Sequence, residues 1–245
     1  MINLAISLGA AIAITLIMFF GLGVTLWIDI PFGLMIGLVL FFWLGRKMQV
    51  IMENLQLQIQ KDLQPPSPKF DRAIETLKQG YAYKHRHLFV ESQLNSLIGT
   101  LYYLKKDHDN AMPYLQKGFF KNFLGDCMLA CIYFKRKDYD AMKKTMDQTT
   151  SSNKKEPFAH ALYAYFLYQL KDKEGAIAKL RKGLKKLPED EKLLTNLSQL
   201  QNDKKMKMKI FGDAWTQLML EKAPRMMQEP PKHMRMNRRA VFRGR

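Results

Sequence analysis

The sequence predicts an all-α chain: a membrane hairpin of two N-terminal helices, a solenoid of stacked helix pairs, and a basic, disordered tail. Three observations carry that prediction. No charged side chain occurs from Ile2 to Ile28. The middle of the chain matches itself at an offset of about 65 residues. Finally, 39 Lys and Arg against 22 Asp and Glu give a net charge of +17. With 47% hydrophobic and 25% charged side chains over 245 residues, wholesale disorder is excluded. The positive balance predicts an anionic partner: lipid headgroups, nucleic acid or an acidic protein surface.

Residues 1–47 form the expected hairpin. At about 1.5 Å per residue, the charge-free run covers a hydrocarbon core of roughly 30 Å. Asp29 and Pro31 interrupt it, and a second apolar stretch from Ile30 to Leu44 closes at Arg46-Lys47. A charge at mid-bilayer costs about 2.5 to 3.5 kcal/mol, so charges kept to the edges suit a spanning pair. Trp27 beside the turn and Trp43 beside the basic exit suit the headgroup belt. A cleaved signal sequence is disfavoured because Met1-Ile2-Asn3 carries no positive side chain. A water-soluble hairpin is disfavoured because Phe19-Phe20 and Phe41-Phe42-Trp43 leave no polar face. The turn lacks Lys and Arg, whereas Arg46, Lys47, Lys61 and Lys69 follow the second span. The positive-inside rule therefore places residues 46–245 and both termini in the cytoplasm, under a bacterial inner (cytoplasmic) membrane. Small residues at helical spacing, Ala5, Gly9 and Ala13 on the first span with Gly33 and Gly37 on the second, predict close helix packing. The hairpin packing on itself is favoured over a contact between copies.

Residues 48–68 are expected to continue the second span as an amphipathic stem and then break. Met48, Met52, Leu55 and Ile59 make an apolar seam suited either to the bilayer surface or to the next domain. Pro65-Pro66-Ser67-Pro68 ends any helix and predicts a stiff spacer.

Residues 69–200 carry the repeat. Gly99 falls on Ala164, Tyr103 on Tyr168, Ala111 on Ala176, Leu115 on Leu180 and Gly118 on Gly183. Ala73, Leu77 and Gly80 echo the same pattern earlier. The unit between the two best copies is degenerate, with Met128, Leu129, Ile132 and Tyr133 on its first helix. Charged loops such as Lys105-Lys106-Asp107 and Lys135-Arg136-Lys137-Asp138 separate the helices. Small residues at a crossing let two helices approach, and large ones fill the seam between neighbouring pairs. The Ala-x3-Leu-x2-Gly second helix, the Pro188 stop and a period near 34 residues make this region resemble the tetratricopeptide repeat family. The family tryptophan is replaced here by Asn95 and His160. The resemblance implies an α-solenoid whose inner helices line a groove for a protein segment. Gln93, Thr100, Tyr103, Tyr133, Phe134, Tyr165 and Tyr168 project there. Their aromatic character favours apolar or amphipathic segments over a carboxylate clamp.

Residues 201–223 predict a helix capping the end of the array, with Ile210, Phe211, Trp215, Leu218 and Met219 at helical spacing. In residues 224–245, Arg225, Lys232, Arg235, Arg238, Arg239, Arg243 and Arg245 almost lack acidic neighbours, so disorder is expected. That tail suits anionic lipid, or RNA and the ribosome with Phe242 free to stack on a base. No pattern for catalysis, cofactor or metal stands out. Cys127 and Cys131 lack the second pair of a zinc site, and His85-x-His87 lies in a basic turn that disfavours a cation. The expectation is a non-enzymatic membrane adaptor that recruits or assembles proteins. Tail docking and a homo-oligomeric membrane assembly are the alternatives.

Overall fold

Every regular element among the described residues of the computed structural model (2–23, 25–64 and 67–221) is helical. Two long helices open the chain, α1 (Ile2–Leu22) and α2 (Leu26–Asp62). Gly23 between them takes φ +64°, a left-handed conformation that glycine adopts without steric cost. Both helices are long and apolar enough to cross a bilayer, with mean hydropathy of 2.3 for the most apolar window within Ile2–Gly21 and 2.0 for that within Trp27–Asp62. Only 11% and 17% of those apolar windows is buried inside the protein, and Ile17, Phe20, Trp27 and Phe42 face outward. A core helix of a water-soluble fold hides most of such a surface, so this pair suits an apolar surrounding. Asp29 is buried in the first turn of α2, with no hydrogen-bond partner for its carboxyl oxygens among the described residues.

The hairpin is held by glycine on one side only. A Cβ on Gly37 would stand 2.9 Å from Ala11 Cβ and 3.0 Å from the Ser7 carbonyl oxygen. One on Gly33 would run into Thr15 Oγ1 and stand 2.9 Å from the Ala11 carbonyl. The α1 contribution is thus Ser7, Ala11 and Thr15, and the helices run antiparallel. Gly9 has nothing within 4 Å of such an atom and Ala13 is exposed, which corrects the expected α1 stripe. Two residues on a helix are about 200° of rotation, so that stripe faces away from α2. The reason is chemical. Ser7 Oγ donates to the Asn3 carbonyl at 2.8 Å and Thr15 Oγ1 to the Ala11 carbonyl at 3.0 Å. Satisfied one turn back, these hydroxyls serve as small side chains in a tight contact.

α2 continues unbroken past Arg46 to Asp62, and the stem seam meets the next helices. Met48, Met52 and Ile59 are buried in one cluster with Ala73, Ile74 and Leu77 of α3 (Phe70–Gln79) and Leu94 and Ile98 of α4 (Val90–Leu104). Across the proline-rich stretch the end of α2 and the start of α3 are tied directly together. The Lys69 amide donates to the Asp62 carbonyl at 2.7 Å and Arg72 reaches the Asp62 carboxylate at 3.6 Å. α3 therefore starts against the end of α2 rather than at a distance from it.

Beyond α4 the helices come in pairs. α4 packs on α5 (His108–Gln116), α6 (Phe123–Lys135) on α7 (Tyr139–Ser152), and α8 (Pro157–Gln169) on α9 (Lys173–Leu184). The first members touch in series, α4 to α6, α6 to α8, and α8 to α10 (Glu191–Gln201). Close approach occurs at Gly99, where a Cβ would lie 2.7 Å from Leu115 Cγ. The turns within pairs share one chemistry. Lys106, Lys137 and Lys171 each take φ between +63° and +68°. The following Asp107, Asp138 and Asp172 accept the amides of Asn110, Ala141 and Gly175. A left-handed residue ends one helix and an aspartate caps the next. The middle pair, degenerate in its apolar pattern, carries the same turn as its neighbours.

Candidate functional site

The face shared by α4, α6 and α8, where the sequence reading expects a groove, holds part of the chain itself. After α10 the chain makes one 3₁₀ turn (Met208–Phe211) and one helical turn, α11 (Asp213–Thr216). Gly212 between them takes φ +58°. A single capping helix is therefore not formed, because the left-handed glycine breaks it and the Lys-rich start supplies no apolar seam. The two turns lie against the first helices of the pairs. Phe211 meets Phe158 of α8 at 5.4 Å between ring centres, and Trp215 meets Tyr165 edge-on at 5.0 Å. Leu218 is fully buried, and its carbonyl accepts the Tyr103 hydroxyl of α4 at 2.5 Å.

The residues expected to line a groove divide accordingly. Tyr103 and Tyr165 are brought together by that segment. Tyr103 is fully buried between Leu218, the His108 ring at 5.0 Å and Cys131; burial, with the Cys131 thiol second, holds its phenol well above the ordinary range. Tyr168 joins Tyr165 in a cleft of about 570 Å³ whose other walls include Gln169, Met206, Lys173 and Glu221. Gln93 lines a different cleft, between α2 and α4. The Thr100 hydroxyl donates to the Ser96 carbonyl at 2.8 Å. Tyr133 turns toward α5, where its hydroxyl accepts from Gln116 Nε2 at 2.8 Å. Phe134 stacks on Phe166 at 4.8 Å and belongs to the core between α6 and α8. Helical spacing alone puts Tyr133 and Phe134 on the same helix as a groove, but their neighbours claim them for packing. Asn95 and His160, at matching places in two pairs, are buried and bond to backbone carbonyls, Asn95 Nδ2 to Lys117 at 3.3 Å and His160 Nε2 to Lys154 at 3.3 Å. Burial holds His160 below its ordinary pKa. Cys127 and Cys131 are fully buried, and burial raises both thiols, Cys131 to about 12. A thiol so far above neutrality is not a nucleophile.

A second constellation was not visible as one in the sequence. The Ile2 and Asn3 amides at the start of α1 donate to the His85 and Arg86 carbonyls at 2.8 and 3.0 Å. The His87 ring stacks on Phe41 of α2 at 5.5 Å and 26°, and lies against Gly45. The loop 84–89 is thereby pinned to the end of the hairpin that carries Arg46 and Lys47. About forty residues of chain separate the two basic groups. The signal that joins them is the shared end of two antiparallel helices. Tail residues Arg225, Lys232, Arg235, Arg238, Arg239, Phe242, Arg243 and Arg245 lie outside the described residues. No family model, no curated protein and no solved structure matches this chain.

Proposed function

We propose that this chain is a non-enzymatic membrane adaptor, in which an apolar hairpin anchors tetratricopeptide-like helix pairs that hold partner segments at the cytoplasmic face. One observation carries the reading: the face of α4, α6 and α8 already holds an amphipathic stretch of this chain through Phe211, Trp215 and the Leu218 carbonyl. A face that accepts aromatic anchors and one main-chain hydrogen bond suits a partner segment of similar character. In this reading residues 208–218 are an internal occupant, and the cleft at Tyr165 and Tyr168 is where a partner gains its first hold. The hairpin supports the membrane half. Basic side chains gather at the end bearing Arg46, Lys47 and loop 84–87, while Gly21 to Ile30 carries Asp29 and no Lys or Arg. That asymmetry orients the helix pairs toward the cytoplasm.

The test is site-specific photocrosslinking from position 168 in native membranes. The expected result is a discrete adduct that grows at least three-fold when Trp215→Ala and Leu218→Asp vacate the face, and that disappears with Tyr165→Glu. An adduct indifferent to all three changes, or none in a chain that stays with the membrane, overturns the adaptor reading.

A further inference from the structure

The cleft between α2 and the start of α4 has the composition of a lipid site. Its volume is about 560 Å³, and it lies where α2 changes from apolar to polar. Phe41, Phe42 and Phe89 line one part of it; Arg46, Gln49 and His87 line another. Phe42 and Phe89 are exposed, so the apolar part opens outward on the side of the hairpin that suits acyl chains. Lys47, whose ammonium lies 3.8 Å over the Trp43 ring on another face of α2, and Lys84 and Arg86 of the pinned loop add positive charge to the same end of the hairpin, outside the lining. Among the described residues, none of Arg46, Lys47, Lys84 and Arg86 has a carboxylate within ion-pair distance. Glu53 is the acidic residue in the lining, two turns along α2 from Arg46.

We propose that this cleft binds one anionic glycerophospholipid, its phosphodiester between Arg46 and His87 and its acyl chains along Phe42 and the outer face of α2. His87 is positioned for this by its stack on Phe41 and by the bond of its Nδ1 to the Leu88 carbonyl at 2.9 Å. With Nδ1 donating to that carbonyl, Nε2 lies on the side of Gly45, where it gives a phosphate oxygen a hydrogen bond only when it too carries a proton. The ring rests on α2 at Gly45, where a Cβ would lie in van der Waals contact at 3.4 Å from Nε2. The three phenylalanines decide between sources of phosphate: a free phosphate has no use for them, whereas a lipid covers them. Unpaired cations at the edge of an apolar span are a recognised arrangement for anionic headgroups. The site joins loop 84–89 to α2, so its occupant would also brace the helix pairs against the bilayer.

The inference rests on the reading of α1 and α2 as membrane-spanning, and two measurements keep the failures apart. Alkaline extraction tests the anchor: a chain released from membranes overturns the membrane reading and this site with it. Native mass spectrometry of the full-length protein in detergent then tests the site against dioleoyl phosphatidylglycerol, dioleoyl phosphatidylcholine and glycerol 3-phosphate. The expected result is one phosphatidylglycerol retained at least ten-fold more strongly than phosphatidylcholine, with glycerol 3-phosphate at millimolar concentration failing to displace it. Arg46→Gln with His87→Gln should remove that preference, Arg46→Lys should keep most of it, and Lys61→Gln should leave it unchanged. Equal retention of both lipids by the wild type, or retention untouched by the double change in a protein of unaltered melting temperature, overturns the proposal for an anchored chain. Displacement by glycerol 3-phosphate overturns the lipid assignment in favour of a soluble phosphate.

Discussion

The hairpin and the helix pairs solve the same packing problem with opposite surfaces. In both, a glycine brings two helices together: Gly37 against Ala11 and Ser7 in the hairpin, Gly99 against Leu115 in the first pair. In the hairpin the large apolar side chains then point away, with Phe20 79% exposed and Phe42 68%. In the pairs they point in, and Phe166 and Leu162 are fully buried. Close backbone approach is thus independent of the solvent, while the direction of the large side chains is set by it. The sharpest way to break this contrast is to remove a ring from each region. Phe166→Ala deletes the stack on Phe134 inside the core and should lower stability by about 3–5 kcal/mol. Phe20→Ala deletes a ring that touches detergent or lipid and should change it by no more than about 0.5 kcal/mol. Thermal unfolding of both variants in one detergent measures the pair; equal losses would mean that the hairpin is a core element after all.

Glycine itself offers the next comparison, now within the hairpin. Gly37→Leu must displace Ala11 and the Ser7 carbonyl, an overpacking that costs about 1–3 kcal/mol. Gly9→Leu meets nothing within 4 Å and should be silent in an isolated chain. Melting temperatures in detergent separate the two. A destabilising Gly9→Leu with a harmless Gly37→Leu would restore the small-residue stripe read from the sequence.

That stripe shows where sequence reasoning reached its limit. Gly33 and Gly37 were legible because glycine in an apolar helix has few other uses. Ser7 and Thr15 were not, because whether a hydroxyl costs anything depends on its bond to a carbonyl one turn back, which a residue list does not display. The all-helical class and the long apolar openings were legible from periodicity and charge spacing. The position of residues 208–218 was not. Trp215 and Leu218 are apolar at helical spacing in either arrangement, and only the left-handed Gly212 and the Tyr103 hydroxyl decide for the shared face of α4, α6 and α8. The relation of the basic loop 84–87 to Arg46 was not legible either, because it runs through the α1 amides, a contact between residues far apart in the chain.

A buried charge inside the pairs gives the smallest of the expected losses. Asp126 lies in the first turn of α6. Burial pushes its carboxyl up to about 7, against the Thr149 hydroxyl that favours the charged form. The unfolded carboxyl titrates near an ordinary pKa of about 4. Between about pH 4 and pH 7 the folded chain therefore keeps a proton that the unfolded chain has released. Stability then falls as pH rises through that window and levels off above it. One pKa unit corresponds to about 1.4 kcal/mol, and the partial exposure of Asp126 reduces the whole effect to about 1–2 kcal/mol. Asp126→Asn removes the ionisation, so the variant should gain on the wild type from pH 4.5 to pH 7.5 and hold that gain above. His160, held below its ordinary pKa by burial, is common to both proteins and cancels in the difference. Paired melting curves at pH 4.5, 6 and 7.5 test this directly. A difference that does not change with pH would show that the carboxylate is already solvated where it stands, and that the α6–α7 pair tolerates charge as readily as its surface does.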